Sequence, residues 1–425
     1  MAFLLLGKHL LWSRPDGNGG TMTYYYYDAI TWIAGALALI WLVCFLVIRY
    51  RKARAMRRPG RRVPRSLKKI RRLKRELSRQ YLRPGFSANI HAIGIGNLPG
   101  TAQPCIQLFV SDPAQELWPG ATAAALPANY GGVPLRLIQM PIAGFLSAAV
   151  PSKAPTANQF PNGIRDRQEL IVGGISGANS NLGGQSGTIG YFCRRKTKLR
   201  RRNEICLLSN AHVFADLRKT RADESDLIMQ PSPGEPGGAR PIGTLLDFTV
   251  LNFDGGINQS NRVDAAIARL WPPVQHKFVI PLIGAVKGFV GKGQIQVGEA
   301  ARKFGRTTGY TEGRIFSIFL DIRIRYDRTG RSAFFEDQIL IEPAMPQFKK
   351  FVSSGDSGSL LVDSGQHAIG LIFAGAAELP ESLQTRPDGL DPNTRAASQP
   401  EKIEGYGVAN PISDILDRLK IELLV

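Results

Sequence analysis

SSGDSGSLLV, residues 353–362, is the stretch whose reading decides the fold. Ser357 lies between Gly355 and Gly358, at the boundary between a turn and the apolar run Leu360–Val362. Glycine permits a sharp turn and lets another backbone come close. Successive N–H groups in such a turn can converge on one point and hold an oxyanion. A serine hydroxyl so presented is a candidate nucleophile, and a serine nucleophile needs a base.

The chain offers five histidines, His9, His91, His212, His276 and His367. His212 stands in CLLSNAHVFAD (206–216), where an apolar strand ends in small residues that let an imidazole lean into a cleft. Taken alone it reads more simply as a hydrogen-bonded structural histidine. Asp264 stands in NRVDAAIARL (261–270), and an Asp in such an apolar run is costly to bury unless paired. A histidine N–H would satisfy it and fix the imidazole tautomer. The bland alternative is a cap. The order along the chain is His212, Asp264, Ser357.

This order, with its local contexts, resembles the chymotrypsin-like (trypsin-like) serine peptidases. It is most similar to the intracellular-type bacterial and plant narrow-leaf-like proteins. The motifs that carry the resemblance are LLSNAHV (207–213), DLIMQPSPGEPGG with IGTL (226–245), NRVDAAIA (261–268), KFGRTTGYTEG (303–313), SGDSGSLLV (354–362) and ANPISDILDRL (409–419). IHAIGIG (90–96) and LPANYGGVPLRLIQ (126–139) resemble the N-terminal unit of such proteins. The resemblance spans about 88–425.

It implies a mainly β fold of two antiparallel six-stranded barrels, with a C-terminal helix and a small N-terminal α+β unit. Ser357 would be the nucleophile, His212 the general base and acid, and Asp264 the group that orients His212. The amides of Gly355 and Ser357 would form the oxyanion hole. Phe373, Ala374 and Gly375, in GLIFAG (370–375), would pair with an extended substrate, and Phe351 would floor the specificity pocket. No acid stands there, so a preference for Lys or Arg is not supported. IVGG (171–174) resembles the start of an activated zymogen, whose new amine would pair with Asp356. Cys193 and Cys206 read either as a bridged pair across a hairpin or as reduced core thiols.

Outward from this region the composition changes. The chain has 425 residues and a net charge of +20, of which +16 falls between 49 and 83, where 17 Lys and Arg meet one acid, Glu76. The high pI therefore belongs to one segment. Just before it, AITWIAGALALIWLVCFLVI (29–48) carries no charge and has the length of a membrane helix. The basic flank predicts that everything after it is cytoplasmic. Leu67, Ile70, Leu73, Leu77 and Tyr81 recur at helical steps and predict a basic amphipathic helix that could lie on anionic lipid; the blander reading, a stop-transfer flank solvated at the lipid surface, is preferred, and nucleic-acid binding is the weaker competitor. Residues 1–21 suggest no role, and Met1 and Met22 are alternative starts.

The predicted organisation is an N-terminal segment (1–28), a transmembrane helix (29–48), a polybasic juxtamembrane segment (49–83), an α+β subdomain (84–150), a linker (151–170) and the protease domain (171–425). Asn410 is expected to cap a last helix whose face is Ile412, Ile415, Leu416 and Leu419. No Cys/His spacing matches a zinc site, and neither metal nor cofactor is expected. The function expected is that of a membrane-anchored serine endopeptidase acting on protein or peptide substrates. The alternatives are a catalytically silent, membrane-tethered peptide-binding scaffold and a polybasic adaptor for nucleic acid or anionic lipid. Oligomeric state is not legible.

Overall fold

The computed structural model describes residues 9–15, 17–18, 21–26, 35–45, 47, 65–83, 86–87, 89–122, 126–145, 163–196, 204–235, 237–253, 255, 259–326, 331–376 and 401–425. The chain divides into two units, Met1–Arg57 and Arg58–Val425. In the first, strands His9–Pro15 and Thr21–Tyr26 pair antiparallel.

The membrane location expected from 29–48 is overturned. Among the described residues no helix is long and apolar enough to cross a membrane. Helix is described over 35–45 and at 47. Positions 29–34, 46 and 48 of the expected span lie outside the described residues. The cytoplasmic placement, which was inferred from that span, falls with it.

The second unit is mainly β. A seven-stranded antiparallel sheet runs in the order Ile421–Leu423, Tyr191–Arg195, Cys206–Ser209, Ala266–Leu270, Arg240–Phe248, Leu227–Gln230, Ala178–Asn179. Its central strands are short apolar runs, buried on both faces. Six strands were expected here. The C-terminal Ile421–Leu423 adds itself to the edge of Tyr191–Arg195. Cys206 and Cys193 lie opposite each other in this sheet as buried free thiols. Burial pushes both thiols up, that of Cys206 to about 12.

In the second sheet, six strands form a closed circuit of pairing. Ala300–Gly305 pairs with Leu360–Asp363, which leads through His367–Ala376, Gly407–Pro411, Ser332–Pro343 and Gly309–Arg325 back to Ala300–Gly305. The strands expected as a small unit at 84–150 extend this same sheet. Ile90–Asn97 pairs with Gly309–Arg325, and Pro104–Val110 and Val133–Gln139 follow outward.

The amphipathic helix forms at Arg65–Tyr81, and its apolar face meets protein. Ile70, Leu73 and Leu77 are buried in one cluster with Ile93, Ile106, Leu108 and Ile339. Irregular register in the long hairpin, with left-handed backbone at Phe319 and Asp337, accompanies the exposure of two acids to that helix. Lys74, fully buried, meets Asp321 at 2.7 Å. Asp337 meets Arg71 at 2.6 Å, Arg262 at 3.2 Å, Lys292 at 3.4 Å and Arg75 at 3.5 Å. Burial alone would raise the Asp337 carboxyl; Lys292, Lys74 and Arg71 outweigh it and hold the group well below the usual carboxylate range.

The last helix, Ile412–Arg418, buries Ile412, Ile415 and Leu416 as expected. Its N-cap is Pro411, with no side-chain cap. Asn410 does not cap, because its side chain is used elsewhere, as described next.

Candidate active site

Antiparallel pairing sets Ser209 opposite Ala266 at one end of the seven-stranded sheet. Just past Ser209 the chain makes the short helical turn Ala211–Phe214, which carries His212. Just before Ala266 comes Asp264. The two side chains therefore leave the same end of adjacent strands. Nδ1 of His212 lies 2.6 Å from Asp264 Oδ2. A carboxylate offers lone pairs, so Nδ1 is the donor and Nε2 is left to face away. The backbone amides of Ala211 and His212 donate to the other carboxylate oxygen, Oδ1, at 2.7 and 3.2 Å. Asn410 Oδ1 accepts from the Asp264 amide at 3.0 Å, and Asn210 Nδ2 donates to the Asp264 carbonyl at 2.7 Å. Asp264 is fully buried, and these bonds supply the partners that its burial requires.

Ser357 comes from the second sheet, in the turn before Leu360–Asp363. Thr188 joins it to the histidine strand. The Thr188 amide donates to the Ser357 carbonyl at 2.8 Å, and Ser209 Oγ donates to the Thr188 carbonyl at 2.7 Å. Thr188 Oγ1 donates to the Gly355 carbonyl at 2.8 Å. A Cβ on Gly358 would lie 2.1 Å from the Thr188 carbonyl oxygen, so this approach of backbones needs glycine there. Gly355 has φ +98°. The bonds of the turn run from Asp356 N to Ser353 O, Gly358 N to Ile372 O and Ser359 N to Asp356 O; none of them uses the amides of Gly355 or Ser357. Ser357 Oγ donates to the Phe373 carbonyl at 3.2 Å.

Beneath the turn lies a charge pair. Lys303 Nζ is 3.1 Å from Asp356 Oδ2, and both side chains are fully buried. Asp356 also accepts from the amides of Thr307 (2.8 Å), Thr308 (3.1 Å) and Ser353 (3.0 Å) and from Thr308 Oγ1 (2.7 Å). Burial lowers the Lys303 ammonium from its usual value, and Asp356 opposes that shift. Lys303 thus stands where IVGG was expected to send a new amine after cleavage. The Ile171 amide donates to the Gln275 carbonyl, and its own carbonyl accepts from the Lys277 amide.

The residues expected to bind substrate lie as follows. Phe351 is buried in a core cluster, its ring against Gly313 and Gly407. Phe373 is buried against Phe335, with ring centroids 4.7 Å apart. Ala374 and Gly375 are paired on both sides. Val408 and Gly407 take one edge, and the chain's own Phe145 and Gly144 take the other. The edge expected to be open is occupied.

No family model matches the sequence, and no curated protein matches it. Solved structures similar to this chain include protease A of Thermobifida fusca, with a TM-score of 0.37 and 16% identity over 60% of this chain and 99% of that one. Nocardiopsis protease is similar with a TM-score of 0.37 and 13% identity, over 60% and 99% of the two chains. A Cellulomonas bogoriensis chymotrypsin is similar with a TM-score of 0.33 and 15% identity, over 60% and 98%.

The sequence reading missed Thr188, Lys303 and Asn410. Lys303 follows Arg302 in the strand AARKFG, so nothing local marked it as the buried cation of the two. Thr188 lies in GTIG (187–190), whose flanking glycines signal close backbone approach. Among the described residues, no group of His, Cys, Asp and Glu is arranged to hold a metal ion.

Proposed function

We propose that this protein is a serine endopeptidase that hydrolyses peptide bonds through Ser357, His212 and Asp264. The observation that carries this reading is the Asp264 carboxylate, which one oxygen commits to His212 Nδ1 and the other to the amides on either side of the Ala211–His212 bond. That arrangement holds one tautomer and one ring orientation, as a general base needs.

In this reading His212 Nε2 takes the hydroxyl proton as Ser357 Oγ attacks the scissile carbonyl. The tetrahedral oxyanion is received by the amides of Gly355 and Ser357. His212 then gives the proton to the leaving amine, and water repeats the cycle on the acyl-enzyme. Asp264 keeps its charge and stabilises the imidazolium between steps. The peptidase part runs over 171–425, and the strands of 84–150 complete its second sheet.

The test is labelling of the full chain with a fluorophosphonate probe, beside Ser357→Ala and His212→Ala. Labelling of the uncut wild type, absent from Ser357→Ala and at least about 1,000-fold slower in His212→Ala, is the expected result. Wild-type protein that stays unlabelled would overturn the reading.

A further inference from the structure

Tyr326 sits near the tip of the long hairpin formed by Gly309–Arg325 and Ser332–Pro343. Its hydroxyl donates to Asp264 Oδ2 at 3.3 Å, the oxygen that also faces His212. The ring stacks on Phe335 with centroids 6.4 Å apart and planes 7° apart, and meets the edge of Phe253 at 4.9 Å. We propose that Tyr326 is a positioning residue for Asp264, delivered by this hairpin and acting through the carboxylate on His212. The inference rests on the peptidase reading above.

Burial and the charge of Asp264 push the Tyr326 phenol well above its usual value, so the hydroxyl stays a donor throughout the neutral range. A donor on Oδ2 withdraws charge from the carboxylate. Without it the carboxylate would hold the His212 imidazolium more strongly, so that a higher pH would be needed to free the imidazole base. Other charged groups on the elements around the hairpin tip are Arg325 and Arg331 on the hairpin itself, Arg262 paired with Glu336 at 3.1 Å, and Lys402 paired with Glu404 at 2.5 Å. The arginines do not titrate in the working range.

The test measures fluorophosphonate labelling of Tyr326→Phe against pH. Phenylalanine keeps the stack and removes only the donor. The expected result is labelling slowed by about 3- to 10-fold, with the acid half-point of the profile moved to higher pH. A merely structural role would leave that half-point in place. Equal rates and equal half-points would overturn the inference while leaving the triad intact. Unlabelled wild type would instead overturn the peptidase reading on which it rests.

A separate observation concerns the edge beside Ser357. Ala143–Phe145 pairs antiparallel with Ala374–Ala376, and Gly144 also pairs with Arg325. Ala143 is fully buried, and so is Ser357. Phe373, whose carbonyl receives the Ser357 hydroxyl, immediately precedes this paired stretch. A strand has two edges, and both edges of Ala374–Gly375 are filled. We infer that Ala143–Phe145 is a resident strand that an extended peptide substrate has to displace, so that the chain restrains its own activity.

Ala143 and Ala376 face each other in the register, which allows the strand to be locked in place by Ala143→Cys with Ala376→Cys. With the cross-link verified by mass, the oxidised protein is expected to label with the small fluorophosphonate like the reduced protein. Its hydrolysis of fluorescent casein is expected to fall about tenfold or more and to return with reductant. Equal casein hydrolysis in both forms would overturn the inference. Absence of labelling in wild type and variant alike would overturn the peptidase reading instead.

Discussion

Lys303→Met is expected to slow fluorophosphonate labelling of Ser357 by about 100-fold or more and to lower the unfolding midpoint. Lys303 and Asp356 are both fully buried, 3.1 Å apart. Removing one partner of such a pair leaves the Asp356 charge buried with hydrogen bonds but no cation, at a cost of about 3–5 kcal/mol. Asp356 is flanked in sequence by Gly355 and Ser357, the two residues whose amides would receive the oxyanion. The least costly relief is for Asp356 to turn toward water, and that rotation drags both amides out of place. Lys303→Met with Asp356→Asn removes the buried charge, and is expected to regain thermal stability without regaining the labelling rate. Wild-type labelling by Lys303→Met would show that the turn holds itself without the pair. The same geometry predicts that uncut chain is active, since the anion already has its cation.

Starting the chain at residue 84 is expected to collapse the yield of soluble, cooperatively unfolding protein. Loss of the helix Arg65–Tyr81 uncovers the sheet face that buries Ile70, Leu73 and Leu77, each contributing about 1.5–3 kcal/mol. It also strips Asp321 of Lys74 and takes two arginines from Asp337. Lys74→Met isolates the second effect: Asp321 stays buried without its cation, for an expected loss of about 3–5 kcal/mol, read as a lower midpoint in urea. A helix serving only as a basic flank would leave the folding of 84–425 unchanged on truncation. Full stability of that truncated chain would therefore contradict the packing described above.

The two predictions separate what a single sequence discloses from what it conceals. The candidate triad was legible because each member sits in a short, chemically specific context: a serine between glycines, a histidine at the end of an apolar strand, an acid in an apolar run. Antiparallel pairing of Ser209 with Ala266 then brings His212 and Asp264 to one end of the sheet. The periodic face of 65–81 was also legible: of the five positions its spacing names, Ile70, Leu73 and Leu77 are buried, and Leu67 and Tyr81 are half-buried. Its partner was not, since an apolar stripe among cations suits a lipid surface and a sheet with two acids equally well. Asp321 and Asp337 lie more than 240 residues away, and nothing local links them to Lys74.

The same limit applies to Asn410 and to GLIFAG. Asn410 before Pro411 has the local form of a helix cap, yet its side chain bonds Asp264 and Gln338, far away in sequence. GLIFAG has the local form of an open edge, yet residues 143–145 have already closed it. What the sequence determined by itself is what neighbours along the chain enforce: strand and helix periodicity, turn chemistry, and which side chains are candidates for chemistry. Only the tertiary structure decided which charges meet and which edges are covered. The reason is physical. Side-chain chemistry and backbone preference act over a few residues, whereas the pairing of Lys303 with Asp356, or of Gly144 with Gly375, depends on where remote strands are brought by the packing of the whole sheet.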